Sequence, residues 1–222
     1  MTIQDWHEWH DEYDEPGSEL GDRLRSVRGH VADAVAAAPP GAVSVVSICG
    51  GQGRDLAGAL AEHPRRADVS GRLVELDADN TAAATRNLQG AGLPGIEVVT
   101  GDASSSDAYA GLAPADLVVI SGLFGHIDDD DHDRLIGFLP QILRPGGRVV
   151  WTFTRLRPER VEPLRRRYLD AGLEELAFDL LDGERYLFTV GVNVNRNETR
   201  AFEDGLKLFD FGSSRRSRGD AG

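Results

Sequence analysis

The sequence predicts an α/β fold, a doubly wound and mostly parallel sheet with helices on both faces, and three observations carry that expectation. Five apolar runs of strand length recur along the chain: "AVSVVSI", "GRLVEL", "IEVVTG", "ADLVVIS" and "GRVVWTF". They are continuous in Val, Ile and Leu, as parallel strands covered on both faces are, and lack the alternation of half-exposed antiparallel strands. Between them lie "RDLAGALAEH", "ADNTAAATRNLQGAG", "SSSDAYAGL" and "DDDDHDRLIGFLPQIL", helix-like in content or period, so the order reads βαβαβ.

Beyond the fifth run the pattern changes. "PERVEPLRRRYLDAGLEEL" reads as one more helix, ended by Gly172, and in "EELAFDLLDGERYLFTVGVNV" the pair Asp182-Gly183 stands between two β-rich runs, a hairpin signal. A dinucleotide-binding half does not usually end this way. The tail "FGSSRRSRGDAG" is rich in Ser, Gly and Arg without apolar periodicity and is expected to be disordered. The expected organisation is an N-terminal helical segment over residues 1–40, a Rossmann-like domain over 41–195 and a C-terminal extension over 196–222. No internal repeat or linker divides the chain further.

At 222 residues and 41% hydrophobic content the chain is long enough to bury a core without disulfides or metal. A net charge of −13 argues against nucleic acid as the main partner, since that affinity rests on Lys and Arg neutralising phosphates, and points to a small-molecule substrate. The single cysteine, Cys49, has no internal partner, and no apolar stretch approaches the roughly 20 residues of a membrane helix. The opening "MTIQDWHEWHDEYDE" lacks the basic and apolar regions of a secretory signal, so a cytoplasmic protein is expected.

The first strand runs into "SICGGQGRD", where Gly50, Gly51 and Gly53 leave bare backbone ahead of a helix. A strand, a glycine-rich turn and a helix N-terminus form the crevice in which doubly wound sheets bind their ligands. Three further features accompany it. In "LVELDADN", Asp77 lies near the spacing at which an acid accepts hydrogen bonds from ribose hydroxyls, with Glu75 competing for the role and a helix-capping function as the other reading of Asp77. Asp102 in "VVTGDAS" follows the third strand, where a carboxylate accepts from an exocyclic amine. "ILRPGGRVVW" places a Pro-Gly-Gly turn before the fifth strand.

Together these residues resemble the class I S-adenosylmethionine-dependent methyltransferases, from about Val43 to Val194, and more narrowly, through "SICGGQGRDL" and "RLVELD", a group of actinobacterial methyltransferases. The resemblance implies a seven-stranded sheet in the order 3-2-1-4-5-7-6 with strand 7 antiparallel. It implies S-adenosylmethionine as cofactor and S-adenosylhomocysteine as product. It also implies that Gly50, Gly51 and Gly53 cradle the methionine part, Asp77 or Glu75 holds the ribose, and Asp102 with Ala103 addresses the adenine. "ADLVVISGLFGHI" is similar to the family's fourth motif, which places Ser121 at the floor between cofactor and acceptor, and Phe124 beside the acceptor.

Two positions depart from the family pattern. Ser47 stands where an acid is usual, and Cys49 occupies the first glycine position. Asp55 is a candidate substitute for the missing contact to the methionine amine; its alternative is a charge complementing the helix dipole. Cys49 is expected to pack and not to react. "IDDDDHD" reads as helix capping and not as a metal site, because consecutive side chains point in different directions.

Ahead of the loop, "DWHEWHDEY" offers Trp6, Trp9, His10 and Tyr13 as an acceptor-site lid, and a helix would put Trp6, His10 and Tyr13 on one face. His126, just past the fourth strand, is the expected general base, with His10 next. Two other classes remain open at this level. One is a NAD-dependent oxidoreductase, which would want a third glycine where Leu56 stands, and the other is a non-catalytic binding protein on the same fold.

Overall fold

The computed structural model describes residues 13, 17–155, 160–183 and 187–212. Seven strands form one sheet: β1 (Val43–Ile48), β2 (Val69–Glu75), β3 (Ile96–Thr100), β4 (Ala115–Ile120), β5 (Leu143–Arg155), β6 (Leu173–Asp182) and β7 (Leu187–Asn195). Their order is β3-β2-β1-β4-β5-β7-β6, and β7 runs antiparallel to both of its neighbours while the remaining pairs are parallel. The fold is therefore the expected one, order and direction included.

Helices α1 (Glu19–Ala37), α2 (Arg54–Leu60) and α3 (Ala78–Gly90) cover one face, and α4 (Asp129–Ile142) and α5 (Val161–Asp170) the other. In α1 the apolar residues Leu20, Leu24, Val27, Val31, Ala34 and Val35 recur at spacings of three and four and are buried. Each fully buried Val or Leu contributes on the order of 1.5–3 kcal/mol. Ser18 caps the helix by accepting from the Gly21 N–H at 3.0 Å. At its far end the Arg65 guanidinium donates to the carbonyls of Val35, Ala38, Pro39 and Gly41 at 2.6 to 2.9 Å, tying the end of α1 to the turn into β1.

Close approaches fix two glycines in the sheet. A Cβ on Gly71, whose φ is +148°, would strike the Val45 carbonyl oxygen of the neighbouring strand. A Cβ on Gly191 would collide with the Trp151 indole, which lies across it, stacks on Tyr168 at 5.0 Å and donates to Asn193 Oδ1 at 2.8 Å.

Two local expectations differ from the structure. "SSSDAYAGL" forms only a short 3₁₀ turn, Ser106–Tyr109, because Tyr109 plugs the core and donates to the Ala103 carbonyl at 2.6 Å, while Ser105 caps the turn. The Pro-Gly-Gly turn lies inside β5, where the pairing with β4 jumps from Ala115↔Leu143 to Leu117↔Arg148 and the extra residues bulge out.

Candidate active site

The carboxyl ends of β1, β2, β3 and β4 open into one cavity of about 450 Å³. Its floor on the β1 side is the loop 49–53, in which Cys49, Gly51 and Gly53 have positive φ of 52°, 52° and 63°. The Gly50 N–H donates to the Val74 carbonyl at 3.1 Å, and a Cβ there would come within 2.7 Å of the Ser47 hydroxyl and of the Leu73 side chain. A side chain at Gly50 has no room. The loop thus presents backbone to the cavity, as a closely approaching ligand requires.

At the end of β2 the two acids have separate tasks. Glu75 reaches back to the loop, Oε2 accepting from the Gly51 N–H and Oε1 from the Asp77 N–H, both at 3.0 Å. Asp77 Oδ1 accepts from the Asn80 N–H at 2.9 Å and so caps α3. Leu76 between them is 72% exposed and lines the cavity. After β3, Asp102 accepts from both the hydroxyl and the N–H of Ser104, at 2.6 and 2.9 Å, and Lys207 Nζ lies 3.5 Å away. The Ser104 bonds and Lys207 hold its carboxyl below its ordinary range.

Asp55 is buried at the start of α2, with Oδ1 accepting from the Leu56 N–H at 2.7 Å, and burial pushes its carboxyl up. Tyr13 lies among charges. The Arg23 guanidinium donates to its hydroxyl, and the guanidinium carbons of Arg23 and Arg54 stand 5.6 and 5.9 Å from its ring centre. Arg23 is itself only 2% exposed and also faces the Phe188 ring at 5.2 Å. The Cys49 thiol is pushed up by burial, with the Glu75 and Asp102 carboxylates adding to the effect, so it stays protonated and is no nucleophile.

The remaining wall comes from the C-terminal extension. Residues 205–212 run across the β3–β4 loop as a strap. The Ser106 N–H donates to the Leu206 carbonyl at 3.0 Å, the Leu208 N–H to the Ser104 carbonyl at 2.7 Å and the Gly205 N–H to Asp107 Oδ1 at 2.7 Å. Lys207 also hydrogen-bonds the Ser104 hydroxyl. Leu208 and Phe209 are buried, Phe211 is 54% exposed, and both phenylalanines line the cavity.

Gly50, Gly51, Asp55, Glu75, Asp77, Asp102, Ala103, Ser121 and Tyr13 are all brought to this one cavity. Gly53 stands behind it as the N-cap of α2. Two expected site residues are corrected. Phe124 is buried in the core against Trp151, Tyr168 and His132, because the loop after β4 turns it inward, and it does not reach the cavity. His126 is not part of the cavity wall either: its ring stacks on Phe211 at 5.2 Å and 21°. Trp6, Trp9 and His10 lie outside the described residues.

Four of the five acids of "IDDDDHD" are engaged locally. Asp128 caps α4, Asp131 pairs with Arg134, and Asp129 and Asp133 meet Arg160 and Arg167 at 2.6 and 2.7 Å. His132 is buried, its Nε2 2.9 Å from the Phe124 carbonyl, and burial lowers its pKa. Arg23, Arg54, Leu76, Phe209 and Phe211 line the cavity without having been singled out in the sequence. The alternating pair of phenylalanines in "KLFDFG" was the one available signal for the strap.

The cavity thus joins a glycine loop, the carboxylates of Glu75, Asp77 and Asp102 and the exposed Leu76. Residues 45–147 match the methyltransferase domain family model. No curated protein sequence matches the chain. Solved structures similar to this chain include magnesium protoporphyrin IX methyltransferase from Synechocystis PCC 6803 with bound SAM, at TM-score 0.65 and 16% identity, covering 87% of this chain and 92% of that one. An O-methyltransferase family protein from Burkholderia thailandensis gives 0.54 and 20%, over 82% and 59%. Geranyl diphosphate methyltransferase in complex with GPP and sinefungin gives 0.56 and 14%, over 84% and 86%. At such identities the likeness speaks for the fold.

Proposed function

We propose that the chain transfers a methyl group from S-adenosylmethionine to a small-molecule acceptor in the cytoplasm. The observation that carries this reading is the joining, in one cavity, of a bare glycine loop, the Glu75 and Asp102 carboxylates and the exposed Leu76. The residues present suit that cofactor. Gly50, pressed on the buried Leu73 and Ser47 side chains, holds the loop close to the sheet, and Gly50 and Gly51 offer bare backbone to the methionine part. Glu75, held against the loop by the Gly51 and Asp77 N–H groups, keeps a lone pair on each oxygen for ribose hydroxyls and takes that role here; Asp77, which caps α3 through Oδ1, is the alternative. Asp102 is the acceptor for the adenine amine, with Leu76 against the ring.

Where the acid is missing at Ser47, Asp55 answers the methionine amine, and the neighbouring guanidinium of Arg54 answers its carboxylate. Both line the cavity. When bound, the cofactor supplies a methyl on a sulfonium sulfur, which leaves in line while sulfur keeps the bonding electron pair. The chain's own task is to align the acceptor atom and exclude water. Among the described residues no imidazole lines the cavity, and what these residues supply is alignment of the acceptor. The net charge of −13 favours a small molecule over nucleic acid, and no helix among the described residues is long and apolar enough to cross a membrane.

Thermal shift separates this reading from its rivals. S-adenosylhomocysteine at about 100 times its Kd should stabilise the fold by about 2.7 kcal/mol, roughly 5–10 °C for a chain of this size, and NAD should not. A shift with NAD alone would replace methyl transfer by hydride transfer.

A further inference from the structure

The two ends of the cavity differ in chemistry. Its four carboxylates, Asp55, Glu75, Asp77 and Asp102, all stand on the loops that follow β1, β2 and β3. The loop after β4 and the strap contribute Ser121, Gly122, Leu123, Phe209 and Phe211, with no charge among them. Phe211 is the unusual member. An aromatic ring left 54% exposed forgoes part of the free energy that burial would give, yet this one is held and not loose. The imidazole of His126 lies nearly parallel to it at 5.2 Å, and the Gly212 N–H next to it donates to the His126 carbonyl at 2.9 Å. His126 therefore meets the strap at two successive residues, through its ring at Phe211 and through its carbonyl at Gly212, and so holds the phenyl ring at the cavity wall.

We infer that the methyl acceptor is a small, uncharged, planar ring compound received against Phe211, and that His126 is a positioning residue that holds that ring in place. The inference rests on the methyl-transfer reading. A held, exposed ring in an uncharged wall fits a flat apolar partner, because aromatic pairs gain beyond their buried area when stacked or edge-on. One hydroxyl, that of Ser121, is at hand for a single polar substituent. Size limits the ligand further. A cavity of about 450 Å³ lies within the range for ligand sites, which with the cofactor seated favours a small acceptor.

Two probes of equal carbon skeleton test this, flat 2-naphthol and puckered decahydro-2-naphthol, titrated by calorimetry into the full chain saturated with S-adenosylhomocysteine. The wild type should bind 2-naphthol about tenfold more tightly, the scale of a good aromatic contact. Phe211→Leu should erase that preference while leaving S-adenosylhomocysteine affinity unchanged, which also shows that the variant folds. His126→Ala should weaken 2-naphthol binding roughly threefold and His126→Phe, which keeps a ring behind Phe211, should restore it. Equal affinity for the two probes, no binding of 2-naphthol, or a preference that survives Phe211→Leu would each overturn the inference. Failure to bind S-adenosylhomocysteine at all would instead overturn the methyl-transfer reading beneath it.

Discussion

The two ends of the cavity, the proposed cofactor end and the proposed acceptor end, are built in opposite ways. Every group at the cofactor end follows a strand directly: the loop 49–53 after β1, Glu75 to Asp77 at the end of β2, Asp102 after β3. The acceptor end gathers Leu123, Phe209 and Phe211, residues brought together from more than 80 positions apart along the chain, from 123 to 211. Local backbone geometry dictates the first, and long-range docking the second. A fold of this kind can keep its cofactor chemistry while changing its acceptor wall, because the two depend on different contacts.

The largest expected effect breaks the cofactor end alone. Glu75→Ala removes the acceptor of the ribose hydroxyls, a loss of about 1–3 kcal/mol that lowers S-adenosylhomocysteine affinity roughly 10- to 100-fold, and strands the Gly51 and Asp77 N–H groups at a further cost in stability. Asp77→Asn should leave it within about threefold, since Asn caps a helix as well as Asp does. Calorimetry on the pair reads this directly, and the reverse ranking would return the ribose to Asp77.

A smaller effect comes from the loop's left-handed Cys49. Val at that position, branched at Cβ, should lower stability by about 1–3 kcal/mol in chemical denaturation, whereas Gly, at ease with φ of +52°, should preserve cofactor binding. Equal stability of the Val variant would mean that the loop relaxes to another conformation.

The smallest effect belongs to the latch between the two ends. Asp102, kept ionised by Ser104 and Lys207, has its pKa depressed on folding. Its contribution is present above the unfolded carboxylate's pKa and is lost as pH falls through the lower folded value. Amide exchange at Leu206 and Leu208 should therefore quicken only below the usual carboxylate range, and Lys207→Met should quicken it modestly at neutral pH. Because both charges are largely exposed, protection unchanged in the variant would assign the strap to its backbone bonds alone.

What was legible in the sequence follows the same division. Parallel strands announce themselves as unbroken apolar runs, and a glycine loop after one of them announces a close approach, so the sheet and the crevice at its carboxyl edge could be read. Which of Glu75 and Asp77 faces the ligand could not, because two acids two residues apart differ only in which one the Asn80 N–H takes as its cap. "SSSDAYAGL" misled because Tyr109, a core plug, gives the same apolar signal as a helix face. His126 misled because a residue at a strand's carboxyl end is near the crevice without necessarily facing it, and its stacking partner lies 85 residues away along the chain, from position 126 to 211. Nothing local says that a tail will fold back as a wall.

The bonds at Arg65 bear on the cavity from the opposite side of the molecule. Helix α1 has 19 residues, a rod about 28 Å long, with Arg23 and Leu24 near its cavity end and Val35 and Ala38 under the Arg65 guanidinium at the other. A rod clamped at its far end cannot swing at its near end without bending or breaking the clamp. Arg65 is thus the pivot of a lever: a lysine there, with one ammonium in place of a planar fork, would free the rod's far end. The resulting tilt would be felt as a displacement of Arg23 and Leu24, in a cavity that Arg65 never touches.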